Sequence, residues 1–271
     1  MTDTCVLHLS DVHATVDGRL YDRVDGIARL DTVGDCVRES GIAPDVVVIT
    51  GDLVERGHAA AYPELARALL RLEERVEAPV LTVLGNHDDP AHARVLPGHA
   101  SAHHRLVHLA DLRILLLDSS SGMLGRDQIA WVREAIAQPY GRGTLLALHH
   151  PPLASPLAGP AGLVDAPELL AAIAGSDVRA ILAGHLHHPL TANLSGVSVS
   201  VGPSLAYHRV MNAGPGFVAG HDSPMLSLVH LLADTIAVTT VDLHAPPSLF
   251  STPVSAGPLT APLTTPLTTS R

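Results

Sequence analysis

The sequence has no lysine, and all 17 of its basic residues are arginine. Aspartate and glutamate together number 27, which gives a formal net charge of -10. A protein that binds the phosphate backbone of a long nucleic acid needs clustered positive charge. The charge balance therefore argues against long nucleic acid as a partner and leaves small-molecule substrates open.

Cysteine is also scarce, and Cys5 and Cys36 are expected to be small buried hydrophobic residues rather than a disulfide. No apolar run approaches the roughly 18 residues that a transmembrane helix needs. Residues 1–3 lead straight into an apolar strand, without the basic segment and apolar core of a signal peptide. These absences predict a soluble cytoplasmic protein without a transmembrane segment.

Five short blocks of polar residues each follow an apolar, β-branched run. The blocks are Asp11-Val12-His13, Gly51-Asp52, Gly85-Asn86-His87-Asp88, His149-His150-Pro151 and Gly184-His185-Leu186-His187. Each is predicted to begin where a strand ends. Because the carboxyl ends of strands in an α/β protein meet in one crevice, these side chains are expected to surround a common ligand.

The chemistry of the blocks favours a binuclear metal centre. Asp, His and Asn side chains without thiolates suit hard or borderline cations. We expect two divalent or mixed-valence ions, Mn and/or Fe in the first place, with Mg, Zn or Co as alternatives. Two cations about 3.5–4 Å apart need a shared anionic ligand. Asp52, in the middle of the set, is the natural candidate.

The remaining pattern alternates strands with helices and then becomes rich in strands. Helices are predicted over residues 24–40, 59–74, 127–137 and 166–174, and a hairpin over residues 106–117. Strands at residues 197–201, 225–231 and 235–241 close the pattern. It predicts an α/β fold, a four-layer α-β-β-α sandwich of two stacked mixed sheets with helices outside.

Two regions are distinguished by composition. Residues 1–244 are predicted to form one domain, whereas residues 245–271 are dense in Pro, Thr and Ser and lack periodicity. Such a segment cannot bury enough surface to offset its ordering entropy unless a partner supplies that surface. It is therefore predicted to be a tail.

The ordered set of blocks resembles the calcineurin-like metallophosphoesterase superfamily, and within it the class III cyclic nucleotide phosphodiesterases of bacteria. The similarity spans roughly residues 4–242 and excludes the tail. It implies a metallophosphoesterase domain and a homodimer. It also implies one metal on Asp11, His13 and His187, another on Asn86, His149 and His185, and Asp52 between the two.

The resemblance further implies a mechanism in which a metal-bridging hydroxide attacks phosphorus in line. Asp52 and His87 are the implied catalytic residues. His87 is not needed as a ligand, and it is expected to face the substrate and either stabilise the transition state or protonate the leaving alkoxide. Asp88 is expected to fix the loop, and Gly51, Gly85 and Gly184 to permit sharp turns beside the site.

Residues 51–57 also resemble a signature of protein serine/threonine phosphatases, in which an acidic residue orients the catalytic His and an Arg grips phosphate. Glu55 stands where those enzymes have Asp. Glu55 is accordingly a candidate partner of His87, and Arg56 an alternative phosphate contact. His150 is expected to pack behind the site, with substrate contact as the alternative.

The expected substrates are cyclic nucleotides, both 3′,5′-cAMP and 2′,3′-cyclic nucleotides. Because aromatic residues make up only 3% of the chain, weak base selectivity is expected, although Tyr207 and His208 lie in a loop that could approach a base. A glycerophosphodiester or broad-specificity phosphoesterase is one alternative. A non-catalytic role, in which the tail binds a partner or the cell envelope, is another.

Overall fold

The computed structural model describes residues 3–155, 161–210, 213–244 and Leu249. The strands in this part of the chain are β1 Thr4–Leu9, β2 Val46–Thr50, β3 Val80–Val83, β4 Arg105–Leu109, β5 Leu112–Leu116, β6 Thr144–Ala147, β7 Val178–Ala183, β8 Leu190–Leu194, β9 Val197–Val201, β10 His208–Val210, β11 Ala219–His221, β12 Met225–Leu231 and β13 Ile236–Asp242. The α-helices are α1 Gly26–Ser40, α2 Tyr62–Val76, α3 Gly125–Ala135 and α4 Ala166–Ile173. Short 3-10 turns span Ala59–Ala61 and His92–Val95.

The strands form two mixed sheets and one small ribbon. The first sheet has the order β13-β12-β1-β2-β3, with β1, β2 and β3 parallel. The second has the order β4-β5-β6-β7-β9-β8, with β5, β6, β7 and β9 parallel. Strands β10 and β11 pair separately. The parallel strands of each sheet end at a common edge.

Three apolar cores produce four layers. Val6 of β1 belongs to a core between the sheets, which also contains Ile114 of β5. Leu7 of β1 points the other way, into a core shared with α1 and α2. Helices α3 and α4 cover the outer face of the second sheet in a third core. Central strands are apolar on both faces because each face is covered, and the predicted four-layer sandwich is confirmed.

Local signals explain where the helices begin and end. Helix α1 starts two residues later than predicted because Asp25 is its N-cap, accepting a hydrogen bond from the Ala28 N–H. Gly41 ends it in the left-handed region. The predicted helix over residues 59–74 is in fact a 3-10 turn followed by α2, whose Pro63 suits a first turn.

Three strands were missed by the sequence prediction. Strand β8 is short and only half-buried, and β10 and β11 have three residues each with no apolar periodicity. The predicted division at residue 244 stays a prediction, because residues 245–248 and 250–271 lie outside the described part. A role for that tail is likewise untested. Among the described helices, none is both long and apolar enough to cross a membrane.

The fold predicts a pH-dependent stability through His99, which is buried between Thr82 and His103. Burial, followed by the nearby charges of Arg105 and His103, lowers the pKa of His99 from 6.5 to about 4. Between pH 6.5 and pH 4, His99 is therefore protonated in the unfolded chain but not in the folded chain. The contribution of His99 to the free energy of unfolding should be constant above pH 6.5. It should fall as the pH drops from 6.5 towards 4.

Urea unfolding in EDTA at pH 7 and pH 4.5 measures this effect. The fall in unfolding free energy should be smaller by about 2–3 kcal/mol in His99→Gln than in the unchanged protein. An equal fall in both proteins would show that His99 does not contribute.

Candidate metal centre

The five predicted blocks do lie together at the carboxyl ends of β1, β2, β3, β6 and β7. Backbone hydrogen bonds connect them directly. The Asp11 N–H donates to Gly51 O at 3.0 Å, and the Gly184 N–H donates to His149 O at 3.0 Å. The loops are therefore held to one another as well as to their own strands, and the site has a rigid base.

The backbone of this site is conformationally unusual. Ten described non-glycine residues have a positive φ, and half of them are predicted metal ligands. These are Asp11 (53°), His13 (47°), Asp52 (48°), His185 (73°) and His187 (55°). Each such residue costs of order 1–3 kcal/mol and persists only where its surroundings demand it. In the turn at residues 184–187, His185 and His187 are both left-handed.

One group of donors consists of Asp11, His13, Asp52 and His187, all buried. The Nε2 atom of His187 lies 3.2 Å from Nε2 of His13 and 3.2 Å from Oδ1 of Asp11. The Asp52 Oδ2 atom lies 3.6 Å from Nε2 of His13. The first predicted ligand set is thus brought together around one point.

A second group contains Asn86, His149 and His185. The His149 Nε2 atom lies 3.2 Å from Oδ1 of Asn86 and 3.1 Å from Nδ1 of His185. Asp52 also reaches this group, with Oδ2 3.4 Å from His149 Nε2. One carboxylate oxygen therefore faces both donor sets, which is the arrangement expected of a bridging ligand.

The protons of three histidines are directed away from the centre. The Nδ1 atom of His13 lies 2.6 Å from Glu55 Oε2, that of His149 lies 2.7 Å from the Thr50 carbonyl oxygen, and that of His187 lies 3.2 Å from the Tyr207 carbonyl oxygen. A ring that donates through Nδ1 presents a lone pair at Nε2. These lone pairs converge with carboxylate oxygens of Asp11 and Asp52, so the residues fit divalent cations.

Electrostatics favours cations at the same place. Burial alone raises the pKa of Asp52, but His149 and His13 outweigh it and hold that pKa well below its ordinary value. Burial lowers the pKa of His149, yet the Asp52 carboxylate dominates and raises it to about 9. A proton and a metal ion therefore compete for the His149 lone pair.

His87 differs from the histidines predicted to be ligands in its exposure. Its side chain is 28% exposed, against 0% for His149 and 3% for His13. Its N–H donates to Asp52 Oδ1 at 2.8 Å, and its ring Nδ1 lies 3.0 Å from Glu55 Oε1. The His87 ring is thus at the solvent-exposed side of the site, and Glu55 fixes its orientation through Nδ1.

Glu55 connects two parts of the site. Its Oε2 atom lies 2.6 Å from His13 and its Oε1 atom 3.0 Å from His87. Burial acts against ionisation, but the two histidines lower the pKa of Glu55 overall. Arg56 does not face the centre freely, because its guanidinium donates to the Asn86 carbonyl oxygen at 3.1 Å.

Asp88 ties two loops together beneath the site, which gives its expected role as a loop anchor a structural basis. Its carboxylate accepts the N–H groups of Gly85, Leu53 and Val54 at 2.8–3.1 Å, and the Tyr62 hydroxyl at 3.0 Å. Burial, followed by the charge of Asp52, raises the pKa of Asp88 to about 6.

The glycines serve two different purposes. Gly51 has a φ of +85°, as the predicted sharp turn requires. Gly85 and Gly184 do not have positive φ. At Gly85 a Cβ atom would lie 2.3 Å from Asp52 Oδ1, and at Gly184 it would lie 1.9 Å from Ser10 Oγ. Close approach of backbone segments, rather than turning, excludes a side chain at these two positions.

His150 lies behind the second donor group, as predicted, and is hydrogen-bonded to Ser119. His150 is buried, its N–H donates to Ser119 Oγ at 3.1 Å, and its ring centroid lies 4.4 Å from that of His185. Sequence reasoning did not identify Ser119 or the carbonyl groups of Thr50 and Tyr207. No side-chain pattern points to a carbonyl, so only the fold could reveal those contacts.

Comparison with known proteins places these observations in context. A family model described as calcineurin-like phosphoesterase matches residues 5–189. A probable cyclic nucleotide phosphodiesterase of Rhodococcus erythropolis is 39% identical over 252 residues, covering 89% of this chain and 84% of the relative. A cAMP/cGMP dual specificity phosphodiesterase of Mycobacterium tuberculosis is 37% identical over 255 residues, covering 89% and 80%. The expected family resemblance is confirmed.

A solved structure shares the fold. A dimetal phosphatase from Danio rerio superposes with a TM-score of 0.59 over 87% of this chain and 98% of the other, at 13% identity. At that identity the likeness concerns the fold alone. It agrees with the two mixed sheets and outer helices described above.

The contacts of Glu55 predict a measurable effect on metal binding. Glu55→Ala removes the partner that fixes the His13 tautomer, and loss of such an outer partner typically weakens metal affinity about 10–100-fold. Titration of metal-free protein with Mn²⁺ should reveal this. Glu64→Ala, which removes an exposed carboxylate paired with Arg67, is the matched control and should bind Mn²⁺ normally. Equal affinity in both variants would contradict the assignment.

Proposed function

Because the chain belongs to the calcineurin-like phosphoesterase family, a family of metal-dependent phosphoric ester hydrolases, we propose that it hydrolyses cyclic nucleotides at the centre around Asp52. The observation that carries the proposal is the Asp52 Oδ2 atom, 3.6 Å from His13 Nε2 and 3.4 Å from His149 Nε2. A carboxylate shared between two donor sets suits two adjacent cations.

The proposed ligands follow the two donor groups. One ion would be held by Asp11, His13 and His187, the other by Asn86, His149 and His185, and both by Asp52. Mn and/or Fe are the proposed metals. When bound, two such cations lower the pKa of an attacking water and neutralise charge on the phosphoryl oxygens.

The substrate class is supported by the relatives. The two relatives compared above are named as cyclic nucleotide phosphodiesterases, one of them with cAMP and cGMP as substrates. We extend this to 3′,5′-cAMP here, and to 2′,3′-cyclic nucleotides because activation of water by two cations does not by itself distinguish one cyclic phosphodiester from another. Homodimer formation and a cytoplasmic location stay predictions.

His87 is the proposed proton donor. Water adds to phosphorus, one ester P–O bond breaks, and the leaving alkoxide takes a proton. Glu55 holds Nδ1 of His87 and leaves Nε2 free to face the cleft, 4.0 Å from Asp52 Oδ2. The backbone N–H of His87 also donates a hydrogen bond to the other carboxylate oxygen of Asp52, Oδ1, at 2.8 Å. Proton donor and bridging carboxylate are thereby kept in one fixed relation.

Restoration of activity by metal tests the proposal. Metal-stripped protein should be inactive on bis(p-nitrophenyl) phosphate and on 3′,5′-cAMP, and Mn²⁺ should restore both activities. Asn86→Ala and His187→Ala each remove a proposed ligand of a different ion. Each should lose at least about 100-fold in kcat/KM, since loss of an outer partner alone costs up to that much.

The matched control is His92→Ala, which removes an exposed histidine paired with Asp89. It should retain full activity. Glycerophosphocholine in the same assay separates a nucleotide enzyme from a glycerophosphodiester hydrolase. Wild-type protein that binds Mn²⁺ but cleaves neither diester would refute the proposal, and so would full activity in both ligand variants.

A further inference from the structure

A small cavity of about 270 Å³ opens beside the metal centre. Its lining residues are Tyr21, Arg23, Val24, Tyr207, Gly220 and Asp222. Cavities for drug-sized ligands begin at about 300 Å³. This volume therefore suits one part of a ligand, such as a single base, rather than a complete large molecule.

Tyr207 connects the cavity to the centre. Its ring centroid lies 4.2 Å from that of His187 and 6.3 Å from that of His13. The ring lies against Gly220 of β11, where a Cβ atom would be 2.9 Å from Cδ2 of the tyrosine. Absence of a side chain at Gly220 thus sets the position of the ring.

Tyr21 forms the outer wall and is 69% exposed. Its ring meets that of Tyr207 edge to face, with centroids 5.6 Å apart at 75°. Tyr21 and Asp22 are consecutive left-handed residues, with φ of 52° and 58°, inside a turn closed by a bridge between Leu20 and Val24. Strained backbone of this kind clusters at active sites and ligand contacts, and here it holds an exposed aromatic ring against Tyr207.

Arg29 fixes the floor of the cavity. Its guanidinium donates to the carbonyl oxygens of Leu205 and Ala206, directly before Tyr207, and to Asp222 Oδ1. The cavity is therefore lined by two aromatic rings, by the Asp222 carboxylate that Arg29 holds, and by Arg23. This combination suits a planar heterocycle with amino groups and ring nitrogens at its edge.

We propose that this cavity is the subsite for the purine base of the cyclic nucleotide substrate, bound against Tyr21 and Tyr207. The inference rests on the proposed function. In a cyclic nucleotide a ribose separates phosphorus from the base, so the base must bind next to the metal centre rather than within it. Base–aromatic stacking tolerates different bases, which predicts activity on both adenine and guanine nucleotides.

The test compares two substrates that differ only in the base. One is 3′,5′-cAMP and the other is the 3′,5′-cyclic phosphate of methyl riboside. In Tyr21→Ala the ratio of their kcat/KM values should fall about 5- to 150-fold, as expected for loss of one base–aromatic stack, chiefly through KM. Tyr21→Phe keeps the stacking ring and should keep the ratio.

Two further variants sharpen the comparison. Gly220→Ala should lower the ratio as well, because its methyl group displaces the Tyr207 ring. Met123→Ala removes another exposed apolar side chain, outside the cavity, and should keep the wild-type ratio. An unchanged ratio in Tyr21→Ala, with both substrates still turned over, overturns the inference alone. Wild-type protein that cleaves neither substrate overturns the proposed function and this inference with it.

Binding without catalysis gives a second readout. Saturation-transfer NMR with adenosine and metal-free protein should detect contact with the purine ring, and Tyr21→Ala should abolish most of the signal. Adenosine has no phosphate, so this result does not depend on turnover. Absence of a signal in the wild-type protein would contradict the subsite.

Discussion

The structure depends on a buried anion, the carboxylate of Asp52. Its Oδ1 atom accepts the His87 N–H, while its Oδ2 atom faces His13 and His149 from 3.6 and 3.4 Å. An ionised carboxylate removed from water is costly unless positive charge compensates it. The surrounding loops place further oxygen and nitrogen donors around this carboxylate. The Nδ1 protons of three histidines point away from it, so that their Nε2 lone pairs face a cation bound there. Function and fold are therefore coupled through one side chain.

The same requirement explains the strain around the centre. Left-handed Asp11, Asp52 and His187 aim side chains that an ordinary strand end would turn elsewhere. Such conformations persist because the loops are over-determined, by backbone bonds such as Asp11 N–H to Gly51 O and by the Asp88 carboxylate below. The apolar layers on both sides of each sheet supply the stability that offsets this cost.

The residues proposed for catalysis and those proposed for substrate choice lie in different parts of the molecule. The proposed metal-binding side chains come from strand ends and their immediate loops, where the sheets leave little freedom. Tyr21 and Tyr207 come from the loop before α1 and the segment between β9 and β10, which can vary without disturbing the sheets. Glu55 lies between these extremes, since it joins a ligand histidine to the histidine at the cleft mouth.

The sequence by itself determined which strands carry the blocks, the four-layer architecture and the identity of the clustered residues. Those features follow from local signals, because apolar runs mark buried strands and polar residues at their ends share an edge. Only the tertiary structure decided the contact between Glu55 and His13, the proton positions on His13, His149 and His187, and the strands β8, β10 and β11. It also brought Tyr21 against Tyr207. These features depend on contacts between residues far apart in the chain, and no local periodicity encodes such contacts.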